Sequence, residues 1–349
     1  MTIAGVASAL PEHKYDQRVL LQALQKHWGP KVDNPVFLER LQARVGVETR
    51  HLALPMADYY GLTRWGDANN RWIEVAQDLG KKALCCALAR AGLSTEDLGA
   101  LFFVSVTGIA SPSIDARLVN RMHLPVNIKR IPIFGLGCVA GAAGIARAAD
   151  YVRAYPKQVA ALLSVELCSL TLQQEDVSIA NIISSGLFGD GAAAVLVAGA
   201  DRKAAGPEIL ATKSIFYPDS EHVMGWDISE RGFKIVLSRE VPEVVQDHLA
   251  SDVDAFLEEQ GITRADIGAW ILHTGGPRVL EATQAALGLP DGALDASWAC
   301  LRRTGNLSSA SVLLVLEEFV TKRRPAPGTY SILAAMGPGF CSELVLLRW

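Results

Sequence analysis

Gly92-Leu93-Ser94-Thr95-Glu96-Asp97-Leu98-Gly99-Ala100 returns as Gly261-Ile262-Thr263-Arg264-Ala265-Asp266-Ile267-Gly268-Ala269, 169 residues further along the chain. The echo extends both ways. Upstream, at the same offset, Val75-Ala76-Gln77-Asp78 matches Val244-Val245-Gln246-Asp247, each near the start of a helix-like stretch that ends at the repeated glycine. Downstream, each copy runs into an apolar segment and then a Thr-Gly pair, Thr107-Gly108 and Thr274-Gly275. Apolar runs that end in loops read as buried strands. At an offset of 168, Gly137-Cys138 falls on Gly305-Asn306, and Ala149-Asp150-Tyr151-Val152 falls on Glu317-Glu318-Phe319-Val320. The small, Ala- and Ser-rich stretches between them suit buried helices. Each half therefore reads as helix, strand, loop, strand, a loop carrying one polar residue, then a buried helix. Chance likeness between two helix–strand units does not hold a common offset over roughly 75 residues with one slip. The expected fold is an α/β duplication, two sheets sandwiching central helices, with a first half over 1–200 and a second over 201–349. The charged, Gly/Pro-punctuated segment Arg202–Glu208 is the join.

The chain has 349 residues, a length that calls for two units or one large core. Lys+Arg total 33 against Asp+Glu 37, a net charge of −4 that offers no basic field for a phosphate backbone, so nucleic acid is not an expected partner. Half the residues are apolar, which excludes disorder and favours an enzyme or small-molecule binder. The stretch Met1–Pro11 lacks a cationic leader and reads as a first strand. The longest uncharged apolar run, Ile131–Ala146, has 16 residues, short of the roughly 20 that cross a bilayer, so no membrane span is expected. Six cysteines, Cys85, Cys86, Cys138, Cys168, Cys300 and Cys341, show no C-x-x-C spacing. Neither a zinc site nor a disulfide scaffold is expected from them, and reduced thiols in the cytoplasm are the default.

Cys138 stands in Phe134-Gly-Leu-Gly137-Cys138-Val-Ala-Gly141-Ala-Ala-Gly144, after an apolar run and at the start of a small-residue helix. A thiol there faces unpaired backbone N–H groups and the positive end of a helix dipole, which predicts a lowered thiol pKa. Cys85, Cys86 and Cys300 lack that context and read as packing. His273 ends a buried strand in Trp270-Ile-Leu-His273-Thr-Gly-Gly276-Pro277, where α/β proteins place ligand-binding groups. Asn306 is the internal counterpart of Cys138; alone, it would be an ordinary helix cap. A cysteine can hold an acyl group as a thioester, while imidazole and carboxamide N–H groups can donate to a thioester oxygen that becomes an enolate. The three together point to carbon–carbon bond formation from thioesters.

These residues resemble those of the type III polyketide synthases, the homodimeric chalcone-synthase-like branch of the thiolase superfamily. The resemblance runs the length of the chain. It rests on Gly-Cys138 and its helix, Leu187-Phe188-Gly-Asp-Gly191, His273-Thr-Gly-Gly-Pro277, Gly305-Asn306-x-Ser308-Ser309 and Met336-Gly337-Pro338-Gly339-Phe340. It implies a thiolase-like αβαβα fold in which Cys138 takes a starter acyl group from coenzyme A. His273 and Asn306 then bind malonyl-CoA, promote its decarboxylation and stabilise the attacking enolate. Acyl-CoA and malonyl-CoA are substrates; no metal or nicotinamide cofactor is implied, and Gly135-x-Gly137 is too short for a dinucleotide fingerprint. Decarboxylation replaces the second, basic cysteine of a degradative thiolase, and Cys341 is wrongly ordered against the C-terminal glycines for that role.

By the same resemblance Phe188 and Phe233 match gatekeeping aromatics, and Thr107, Cys168 and Thr171 line the cavity along with the Gly337-Pro338-Gly339 loop. Glu166 and Ser308 match two members of a cyclisation relay whose third position, Val106, cannot relay a proton. Arg40, Arg44 and Arg278 fall where coenzyme A phosphates bind, for which guanidinium forks are suited. Ala110-Ser111-Pro112 lies in the loop that reaches the neighbouring subunit. The motifs look most like bacterial alkylpyrone and alkylresorcinol synthases with fatty acyl starters. Two rival readings are a ketoacyl-ACP synthase that condenses once on a carrier protein, and a catalytically silent binding subunit.

Overall fold

The computed structural model describes residues 1–32 and 35–349. In the first half the elements run β1 (Thr2–Ala9), β2 (His13–Asp16), α1 (Gln17–Trp28), α2 (Pro35–Ala43), β3 (Thr49–Leu52), α3 (Trp65–Ala91), β4 (Leu98–Val104), α4 (Ile114–Met122), β5 (Lys129–Ile133), α5 (Ala140–Ala154), β6 (Val159–Leu167), α6 (Ile179–Leu187) and β7 (Asp190–Ala198). The second continues with β8 (Glu208–Phe216), β9 (Met224–Ser229), β10 (Gly232–Leu237), α7 (Val241–Glu258), β11 (Ile267–Leu272), α8 (Pro277–Leu287), α9 (Asp295–Thr304), α10 (Ser311–Glu318), β12 (Tyr330–Gly337) and β13 (Cys341–Arg348).

The repeated stretch does the same local job twice. Ser94 and Thr263 each open a short turn whose third residue, Asp97 or Asp266, returns a carboxylate bond to the opening N–H at 2.8 Å. This reciprocal cap holds the chain at a fixed angle as it enters β4 or β11. Those strands are buried because helices cover both faces, and their sequences accordingly read as continuous apolar runs rather than alternating ones.

α3 and α4 pack outside the strands of the first half. α7 and α8 pack outside those of the second. Between the two, α5 and α10 share a core with inward residues of both halves, giving five layers, αβαβα. α5 is built from Ala and Gly and is buried over most of its length, so the halves approach closely across it.

Three details differ from the sequence reading. Nine strands form one sheet, β11-β12-β13-β8-β1-β7-β6-β4-β5, rather than two separate ones, and β2–β3 and β9–β10 make two small ribbons outside it. The halves join there through a single residue pair, Thr2 with Glu208. The second strand expected in each half is present only in the first, as β5. In the second half α9 takes that place, since Ala296, Ser297, Cys300, Leu301 and Thr304 recur at helical spacing and are its buried face. Cys85 and Cys86 lie exposed on α3 instead of packing, whereas Cys300 is buried as expected. Among the described residues no helix is long and apolar enough to cross a membrane.

Candidate active site

Cys138 follows β5 through a left-handed Gly137, at φ +52°, and one tight turn, Gly137–Val139, before α5 begins. Asn306 follows α9 through a left-handed Gly305, at φ +71°, with a tight turn Ser308–Ala310 leading into α10. The two turns meet. The Cys138 thiol donates to Ser308 Oγ at 3.7 Å. Asn306 Oδ1 accepts from the Ser308 backbone N–H at 2.8 Å and from Ser311 Oγ at 3.4 Å, so the amide presents its N–H groups to the sulfur. The Asn306 backbone is itself fixed by a parallel bridge to Phe188, in which its N–H donates to Leu187 O at 2.9 Å.

His273 emerges directly from the end of β11, and its backbone N–H donates to Ala334 O on β12 at 3.0 Å. Both ring nitrogens are buried without a partner. Burial lowers the imidazole to about 4, so it is neutral at physiological pH. Burial also pushes the Cys138 thiol up to about 12, against the opposing hydrogen bonds of Ser308 and Asn306. This corrects the expectation from the helix start: loss of solvent outweighs the turn's N–H groups. The resting pair is a neutral thiol and a neutral imidazole, and the proton must leave sulfur as it attacks.

Cys138 stands where two cavities adjoin. The outer, about 470 Å³, is lined by His273, Asn306, Gly276, Arg44, Arg239 and Arg278. The inner, about 150 Å³, is lined by Thr107, Cys168, Thr171, Ser184, Trp226 and Pro338 among others. Cys138 and Phe188 line both, which places Phe188 at the passage between them. Among the described residues Arg44, Arg239 and Arg278 have no carboxylate partner, leaving three guanidinium groups free at the outer cavity. Arg239 was not legible as a member of this set because it lies in the β10–α7 connection, outside any motif.

Other expected residues fall elsewhere. Phe233 lines neither cavity; it is buried in an aromatic cluster with Trp65, Phe134 and Trp226, at centroid distances of 5.7, 6.1 and 5.8 Å. Trp226 supplies the wall instead, its indole N–H donating to Val106 O at 2.9 Å. Arg40 is exposed and outside the cavity lining. Gly337 and Gly339 shape the loop that carries Pro338 and do not line the chamber themselves.

Glu166 on β6 lies behind the inner wall, fully buried. Its Oε2 accepts from Thr107 Oγ1 at 2.9 Å, Val106 N at 3.1 Å and Ser105 Oγ at 3.2 Å, and its Oε1 accepts from Ser309 Oγ. Of the two residues matched to a relay, Glu166 thus bonds Ser309, while Ser308 turns toward the sulfur. Burial raises Glu166 to about 7 despite those four donors. At the far side of the chamber, Arg50 donates to the carbonyls of Ser185 and Phe188 at the end of α6, at 2.6 and 2.7 Å. Among the described residues no group of three or more His, Cys, Asp or Glu side chains is arranged to hold a metal ion.

A five-layered duplicated fold with a cysteine, a histidine and an asparagine converging between two cavities defines a thiolase-like condensing enzyme. The N-terminal domain profile of the chalcone and stilbene synthases matches residues 68–202, and the C-terminal domain profile matches 208–349. The chain belongs to the chalcone and stilbene synthase family and is a type III polyketide synthase, an acyltransferase. It is 51% identical to a 1,3,6,8-tetrahydroxynaphthalene synthase of Streptomyces peucetius subsp. caesius, over 100% of this chain and 93% of that protein. It is 42% identical to a putative chalcone synthase of Bacillus subtilis (strain 168), over 73% of this chain and 71% of the relative. The crystal structure of 1,3,6,8-tetrahydroxynaphthalene synthase from Streptomyces coelicolor A3(2) superposes with a TM-score of 0.94 at 31% identity, covering 100% of this chain and 99% of the other.

Proposed function

We propose that this chain builds a polyketide from malonyl-CoA alone and closes it to a polyhydroxylated naphthalene. The observation that carries the product is the 51% identity, over the whole chain, to a 1,3,6,8-tetrahydroxynaphthalene synthase. The inner chamber supports it: about 150 Å³ is space for roughly ten water molecules, suited to a compact folded-back chain rather than an extended long acyl tail. The fatty acyl starter and alkylpyrone product expected from the motifs are the second reading, favoured by the apolar residues among the chamber's walls.

In the proposed chemistry, Cys138 sulfur attacks the malonyl thioester as its proton passes to His273. The C–S bond to coenzyme A breaks, and coenzyme A leaves as the thiol with that proton. Loss of carbon dioxide, with a proton taken up from water at the freed carbon, leaves an acetyl group on Cys138. A second malonyl-CoA in the outer cavity then loses carbon dioxide, and the freed electron pair becomes an enolate. The enolate oxygen is held by the Asn306 carboxamide and by the N–H of neutral His273. Its carbon attacks the Cys138 thioester, forming a C–C bond and releasing the sulfur as thiolate with the lengthened chain on coenzyme A. That thiolate then attacks the new coenzyme A thioester, the C–S bond to coenzyme A breaks, and coenzyme A leaves as the thiol with a proton from water. Residues 1–200 supply the nucleophile and 201–349 the two donors. Arg44, Arg239 and Arg278 hold the coenzyme A phosphates. Phe134 and Ile109, large apolar side chains left exposed, support a homodimer, and the free cysteines a cytoplasmic setting.

The test is purified protein with malonyl-CoA and no other thioester. Release of coenzyme A and carbon dioxide with a tetrahydroxynaphthalene mass is expected. Consumption only when a fatty acyl-CoA is added would transfer the assignment to the second reading, and dependence on an acyl carrier protein would overturn both.

A further inference from the structure

Each of the two cavities contains one residue whose buried polar atoms have no partner. In the outer cavity it is His273; in the inner chamber it is Ser184. Ser184 lies on α6 one turn before Phe188, is 8% exposed, and its Oγ makes no hydrogen bond. A helical serine commonly returns its hydroxyl to the carbonyl four residues back, and here it does not.

Apart from the exposed Tyr60, the other hydroxyls on the chamber wall are engaged. Thr107 Oγ1 donates to Glu166 and Thr171 Oγ1 to Cys168 O, at 2.9 and 2.8 Å. Ser169 Oγ is held by Asp190 and Tyr59, and Ser308 Oγ accepts from Cys138. A buried hydroxyl without a partner is costly, so the ligand that fits is one that brings an acceptor oxygen to it. A poly-β-keto chain has an oxygen on every second carbon; an alkyl chain has none.

We infer that Ser184 is a specificity-determining residue that donates a hydrogen bond to a keto oxygen of the chain growing on Cys138, so that the inner chamber selects an oxygenated chain over an alkyl one. This rests on the proposed malonyl-derived product and names the contact that selects it. The bond fixes one carbonyl of the folded chain, and with it which carbons approach for ring closure.

Ser184→Ala removes the hydroxyl with little change in volume, and Ser184→Thr restores one. With malonyl-CoA, Ser184→Ala is expected to load Cys138 within twofold of the parent, which checks folding. It should make the full-length aromatic product on the order of tenfold less and divert chains to shorter lactones. In competition between hexanoyl-CoA and malonyl-CoA as starter, its preference should move toward hexanoyl by a similar factor. Ser184→Thr should recover the parental pattern. Product distribution and starter preference within twofold of the parent in Ser184→Ala would overturn the inference, as would a Ser184→Thr variant that behaves like Ser184→Ala. If the parent makes no aromatic product from malonyl-CoA alone, the proposed product fails on its own. The Ser184 comparison is then read on the number of keto units added to hexanoyl-CoA.

Discussion

Cys138 and Asn306 occupy the same place in the two halves, and they reach it differently. Each follows a left-handed glycine and leads into a buried helix, Cys138 from within a tight turn and Asn306 from just before one. Cys138 arrives from β5, a strand on the sheet's edge with exposed residues, whereas Asn306 arrives from α9, packed against the core. The duplication therefore keeps the helix head, where backbone N–H groups converge, and frees the approach to it. In the proposed reaction one half spends that position on a nucleophile, the other on a donor. The difference in approach fits the proposed roles, a sulfur that accepts and releases an acyl group and an amide that stays fixed: of the two, Asn306 is locked by a backbone bridge to Phe188.

The largest effects should separate the two heads by step. Cys138→Ala is expected to abolish acyl loading, measured by mass spectrometry of intact protein after incubation with malonyl-CoA. Asn306→Ala should load normally and lose turnover by roughly a hundred- to a thousandfold, the cost of one donor to a developing oxyanion. Equal loss of loading in both variants would mean that the halves do not divide the labour this way.

Protonation sharpens the contrast further. With its thiol pushed up to about 12, Cys138 is protonated across the neutral range, so its alkylation by iodoacetamide should rise about tenfold per pH unit from pH 6 to pH 10. A plateau near pH 7 would show that the helix head and His273 win over burial. His273, lowered to about 4, is the proton acceptor above that pH; loading should hold level down to about pH 5 and fall as the imidazole gains its proton below.

The smallest effect concerns the glycines. A Cβ on Gly305 would lie 2.5 Å from the Leu187 carbonyl oxygen, in a backbone conformation at φ +71° and ψ −169° that suits glycine. A Cβ on Gly137 would meet the ring of Pro338 at 2.7 Å. Backbone yields less than a loop proline, so Gly305→Ala should destabilise by about 1–3 kcal/mol and Gly137→Ala by less. Thermal unfolding of the two variants side by side checks the order.

The duplication, the layered fold and the three converging side chains were legible in the sequence because each depends on local chemistry: a reciprocal cap, an apolar run, a glycine before a polar residue. The walls of the chambers were not. Trp226, Ser184 and Arg239 come from a ribbon, a short helix and a connection that have no period of their own, and only tertiary contact places them. Phe233 was misplaced for the same reason, since it stands behind Trp226, the residue that faces the cavity. That Glu166 bonds Ser309 while Ser308 faces the sulfur was not legible either, because neighbours on a tight turn point in different directions. The joining of both halves into one sheet rests on a single pair of residues that no sequence pattern announces.

The position of Cys138 between a larger outer cavity and a smaller inner one has a further meaning. On the proposed reaction each new thioester takes the outer space, so a chain tethered to sulfur would have only the inner chamber to grow into. Length would then be measured by filling: a fixed volume would act as the ruler, and synthesis would stop when the next unit no longer fits. Such an enzyme would count without a counter, and a single substitution in the wall would reset the tally.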